Sequence, residues 1–205
     1  MGELDRALAD ISVIRGQLAR SVEFRGYGVA TLALTGVFAA AAGVVQARWI
    51  PNPSHNIPLY LSLWTATATT SLAAIAWETI ARTRREHLGL AQEMLLSAVE
   101  QFLPAVIAGV LLTAVLLRTS PESLWLLPGL WQVIYALGVF ASSRFLPRPM
   151  ILIGGWFLAT GLVCLVRARG VNAFSPWAMA APFCLGQLMV ASVLKFSSRG
   201  ANGKA

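Results

Sequence analysis

Charge is scarce in this chain: Asp, Glu, Lys and Arg make up 12% of its 205 residues, about half the share found in soluble domains. So few charges cannot cover a globule of this size, and lipid is expected to solvate much of its surface. Cysteine is scarcer still. Cys164 and Cys184 lie inside apolar runs without a C-x-x-C, which argues against thiol–disulfide chemistry and reads both as small buried hydrophobes. The only histidines, His55 and His87, fall in loops on opposite sides of the expected bundle. Neither a bis-histidine haem nor a clustered metal site can be assembled from them. Also missing are H-E-x-x-H, a G-x-S motif with a buried histidine partner, and the acidic cluster of a metal-dependent lipid phosphotransferase. Together these absences predict a chain that is not an enzyme and holds no metal or cofactor. The N-terminus lacks a basic segment followed by a short hydrophobic stretch and a small-residue cleavage site, so a cleaved signal peptide is not expected.

What is abundant is apolar surface, 57% of the residues. A spanning helix needs about 20 mostly apolar residues. Such runs occur at Tyr27–Ala47, Pro58–Ala81, Phe102–Leu117, Leu124–Ser142, Pro149–Val166 and Pro176–Lys195. They predict an all-α, polytopic integral membrane protein with a six-helix transmembrane bundle over 26–196. An N-terminal amphipathic helix is expected over 1–25, and a flexible cytosolic tail over 197–205. Except for Trp49–Ile57 and Arg82–Glu100, the connections are short, and they predict that the helices they join pack as antiparallel neighbours. The stretch "RTRREHLGLAQEMLLSAVEQ" keeps apolar residues three to four apart (Leu88, Ala91, Leu95, Ala98, Val99). It is expected to form a helical cytosolic extension of the third span.

The net charge of +7 could suggest nucleic acid, but its cations flank apolar runs instead of lining one face of a polar fold, so no nucleic-acid partner is expected. Twelve cations fall on one side: Arg6, Arg15, Arg20, Arg25, Arg82, Arg84, Arg85, Arg144, Arg148, Lys195, Arg199 and Lys204. Four fall on the other: Arg48, Arg118, Arg167 and Arg169. Basic loops stay preferentially cytoplasmic. Both termini are therefore expected inside a cell membrane, such as a bacterial inner membrane. Trp49, Trp64, Trp125 and Trp177 gather near the opposite edge, where indoles anchor at headgroup level.

Polar groups at membrane depth are costly. Gln132 and Tyr135 in the fourth span and Gln187 in the sixth are expected to face the interior, joining helices by hydrogen bonds or lining a ligand cavity. A faint Q-x3-A-x5-SSR repeat links Gln132, Ala136 and Ser142 to Gln187, Ala191 and Ser197. In the second span, the hydroxyls of "TATATTS" can return to backbone carbonyls one turn back. Glu78 precedes Arg82 by one turn in the favourable order. Glu100 and Gln101 are expected to open the third span, with Pro104 in its first turn and the acid at the positive helix end. Glu78, Glu100 and Gln101 form a second candidate ligand-binding group, a cytosolic vestibule.

Ahead of the first span, Leu4, Ala7, Leu8, Ile11, Ile14, Leu18 and Val22 fall on one stripe of a helical wheel. That stripe needs an apolar surface. The bilayer, the underside of the bundle, a partner protein or a second copy would each supply one, and Leu4, Leu8, Ile11, Ile14, Leu18 and Val22 are the candidate partner-binding residues. The functional expectation is a non-enzymatic sensor, scaffold or regulatory membrane component acting through this helix. The alternative is a small-solute transporter, or the substrate-binding subunit of one, with a central cavity near Gln132 and Gln187.

Overall fold

The computed structural model describes residues 28–85, 89–146, 148–168 and 172–202. Within them the chain is all-helical, without strands. Six long helices follow in order: α1 (Val29–Trp49), α2 (Ile57–Arg85), α3 (Gly89–Thr119), α4 (Leu127–Ser142), α5 (Met150–Arg167) and α6 (Pro176–Asn202). Short 3-10 turns at Pro53–His55, Pro121–Leu126 and Ser143–Phe145 lengthen or link them. Each of the six contains a stretch long and apolar enough to cross a membrane, the fourth stretch running Pro121–Phe145 through its flanking turns. The exposed indoles of Trp49 and Trp177 mark one end of the bundle. The arginine-rich connections around Arg85 and Arg144 mark the other.

The helices pack in the spatial order α2–α1–α6–α5–α4–α3. The most extensive interface joins the first helix to the last, antiparallel, because small residues let their backbones meet. A Cβ on Gly36 would stand 3.1 Å from the Cys184 carbonyl oxygen, and one on Gly43 would overlap the Ala180 methyl. The α4–α5 interface uses the same device: Cβ positions built on Gly129 and Gly161 lie 2.9 and 3.0 Å from each other's carbonyl oxygens. By contrast, α2 and α3 follow each other in sequence yet share no substantial interface among the described residues. The connection between them is one of the two that the short-connection expectation leaves out. Small-residue complementarity selects the partner, and a short connection only brings candidates close.

Three expectations change. First, α3 begins at Gly89, so Glu100 sits well inside it and Pro104 is an interior proline. Glu100 consequently does not occupy a first turn, and the helix-dipole argument for it lapses. The residues before Pro104 still have backbone partners upstream, and the proline removes only the hydrogen bond to the Glu100 carbonyl. Second, α6 continues to Asn202, beyond the tail boundary expected at 197. Third, Trp64 is 4% exposed, so it is an interior residue and not a headgroup anchor. The stripe from Leu4 to Val22, together with His87, lies outside the described residues.

Candidate functional site

The core divides into two layers. Towards the arginine-rich end, Leu32, Ala136, Met150, Ile153, Phe157, Val190, Ala191 and Leu194 close together. The repeat partners Ala136 and Ala191 both belong to this layer, which gives the Q-x3-A pattern a packing role on α4 and α6. Towards the tryptophan end, Ala42, Tyr60, Trp64, Leu124, Leu127, Phe174, Met179 and Ala180 form the second layer.

The most completely bonded polar side chain in this second layer is Gln46, which the sequence reading did not single out. It is fully buried. Its Oε1 accepts from Trp64 Nε1 at 2.8 Å, and its Nε2 donates to the Phe174 carbonyl at 2.6 Å. One amide thus ties α1 to α2 and to the segment before α6. Phe174 has φ 60°, a left-handed conformation that bulky residues rarely adopt. Its carbonyl is held by Gln46 while its ring stands edge-on to Tyr60 at 4.9 Å.

Gln132 is also fully buried, as expected, and its placement has a local cause. Pro182 inside α6 carries no N–H, so the Ala178 carbonyl one turn earlier loses its helical partner. Gln132 Nε2 supplies that partner at 2.9 Å and also donates to the Pro128 carbonyl at 3.0 Å. Both amide hydrogens are thereby used. From α5, Trp156 Nε1 donates to the Pro182 carbonyl at 3.0 Å, so two neighbouring helices brace the proline turn.

Tyr135 and Gln187 come together as a pair: Gln187 Nε2 donates to Tyr135 Oη at 3.2 Å. The Tyr135 ring packs among Phe102, Phe157 and Phe183 at centroid distances of 5.2, 4.5 and 5.4 Å. Gln132 and Gln187 are therefore brought to the same α4–α6 region, with an aromatic cluster beside them. Three buried polar atoms have no partner among the described residues: Gln132 Oε1, Gln187 Oε1 and Tyr60 Oη.

The second candidate group is placed differently. The half-buried Glu78 carboxylate lies against the backbone of Gly28, at the start of α1. Its negative charge suits that helix end. Glu100 is exposed and Gln101 half-buried on α3, which packs on α4 and not on α2. Among the described residues, no substantial interface therefore joins the helix of Glu78 to that of the other two. The Arg82 side chain is outside what the structure describes. Thr67 and Thr69 donate to the carbonyls of Leu63 and Thr65, the turn-back bonding expected of this span. No group of three metal-ligating side chains occurs among the described residues. Comparison with protein-family models, curated proteins and solved structures gives no match.

Proposed function

We propose that this chain is a non-catalytic component of a cell membrane, with both termini in the cytoplasm, that acts by docking a partner protein on the stripe Leu4–Val22. One observation carries the reading: the interior polar side chains are used mainly to join helices. Gln46 connects α1, α2 and Phe174; Gln132 serves the carbonyl released by Pro182; Ser142 Oγ reaches the Ala98 carbonyl of α3 at 2.9 Å. A bundle stitched in this way is a rigid platform, and rigid platforms suit presentation of a surface. The cation distribution assigns the N-terminal stripe to the cytoplasm. The test is deletion of residues 1–22. Loss of a defined native complex with the bundle's thermal stability intact supports docking; an unchanged complex refutes it.

A second reading, a small-solute transporter or its substrate-binding subunit, is favoured by the unpartnered Gln132 and Gln187 oxygens. Its test is transport of candidate solutes by Gln187→Leu, which keeps the Gln132 bracing intact. Orientation is tested by single cysteines at Ser54 and Arg148 in a background where Cys164 and Cys184 are alanine. A membrane-impermeant maleimide should label the former from outside intact cells and the latter only after lysis.

A further inference from the structure

The start of α1 is not closed by α1 itself. Leu32 makes the first intrahelical bond, to the Gly28 carbonyl at 3.1 Å, so the N–H groups between them have no helical partner. Glycine at the cap position has no side chain to accept from them, and the first turn carries no acid. The closing group comes from α2. A Cβ built on Gly28 would overlap Glu78 Oε1, Cδ and Oε2 together. The carboxylate therefore occupies the space that any larger residue at position 28 would fill. The Gly28 backbone is ordinary, with φ −69° and ψ 112°, so glycine is required there for room and not for conformation.

Apolar packing holds the carboxylate in place. Ile75, one turn before Glu78 on α2, and Val29, next to Gly28 on α1, both pack on the core layer that contains Leu32 and Phe157. The Gln46–Trp64 bond ties the same two helices at their other end, so α2 is fixed against α1 at both ends. Residues 1–27 join the bundle at Gly28. A helix cap is ordinarily supplied by the chain's own cap residue. A carboxylate supplied from a neighbouring helix suits the positive end of α1 equally well. It also sets where the segment ahead of α1 departs relative to α2.

We propose that Glu78 caps α1 from α2 and is thereby the positioning residue for the docking stripe Leu4–Val22. This rests on the first reading above and gives Glu78 a role in docking in place of one in a ligand vestibule.

The experiment uses the full-length protein, with a photo-crosslinking phenylalanine analogue at Ile11 in intact cells and thermal unfolding of the purified protein in detergent. Gly28→Ala lowers the midpoint in wild type and has no such effect in Glu78→Ala, because the clash is with the carboxylate. Glu78→Ala removes both the cap and the tie to α2. It lowers the midpoint by roughly 2–4 °C and loses most of the position-11 adduct. Gly28→Asp is then added to Glu78→Ala, which leaves space for it. Aspartate is a favoured cap residue, so part of the midpoint returns from within α1. The adduct stays lost, because the tie to α2 is still missing. An adduct restored by Gly28→Asp shows that Glu78 acts as a cap alone and overturns the positioning role, as does a wild-type adduct level in Glu78→Ala. An unchanged midpoint in Glu78→Ala, or no gain from Gly28→Asp in that background, overturns the cap. Absence of any adduct from wild type refutes the docking reading itself, and the cap then stands or falls on the midpoints.

Discussion

Replacing Gln46 by leucine strands two buried partners at once, the Trp64 indole N–H and the Phe174 carbonyl. Interhelical hydrogen bonds in membrane proteins couple by only ~0.6 kcal/mol on average, so a typical deletion would be nearly silent. This one should not be. Both partners are 3–4% exposed, and each buried group left unpaired costs about 1–3 kcal/mol. Allowing for the favourable burial of the leucine, the net loss is about 2–4 kcal/mol. For a chain of this length, each kcal/mol moves the unfolding midpoint by roughly 2–4 °C, giving a drop of roughly 4–16 °C. The assay is thermal unfolding in detergent, followed by retention of the monodisperse elution peak. Trp64→Phe provides the control: once the indole N–H is gone, Gln46→Leu has one partner fewer to strand and should cost less. A Gln46→Leu midpoint within about 1 °C of wild type would refute the account of this tie. So would full additivity with Trp64→Phe.

Three other outcomes follow from the same contacts. Gly43→Leu drives a side chain into Ala180 across the α1–α6 interface and should destabilise by about 1–3 kcal/mol, seen as a lowered midpoint. Gly155→Ala, whose Cβ meets nothing within 4 Å, should be neutral or stabilising by up to about 1 kcal/mol through helix propensity. Pro182→Ala restores an N–H one turn after Ala178, so Gln132→Leu should cost less in that background than in wild type. Equal costs in the two backgrounds, measured by thermal unfolding, would contradict the assignment of Gln132 to the carbonyl freed by the proline.

The six apolar helices were legible because hydrocarbon thickness converts directly into run length. Observed ends at Trp49, Ala81, Arg167 and Phe196 fall within a few residues of the runs read from the sequence. The packing order was not legible, because hydropathy records that a face is apolar and not what it meets. The deciding signal lay in Gly36, Ala39, Gly43 and Gln46, spaced three and four apart and all buried on α1. Gln46 lies at the end of the run Tyr27–Ala47, beside Arg48 and Trp49, where hydropathy alone does not separate an interior amide from a polar span end. Its place at the end of that small-residue stripe was the available clue. Gln132 could be assigned to the interior from cost alone, but its partner required seeing Pro182 on a helix remote in sequence. Glu100 was misplaced because Pro104 suggests a first turn. The helix that begins at Gly89 runs straight through it.

The central claim, that the chain works by presenting its N-terminal stripe to a partner, is tested most directly by photo-crosslinking in intact cells. A crosslinking phenylalanine analogue would replace Ile11 in one variant and Ser12, on the opposite side of the same helix, in another. The account predicts one discrete protein adduct from position 11, absent from position 12 and lost when Ile14 is also changed to Asp. Adducts of equal intensity from both positions, or a position-11 adduct insensitive to Ile14→Asp, would contradict it, as would the absence of any protein adduct from position 11.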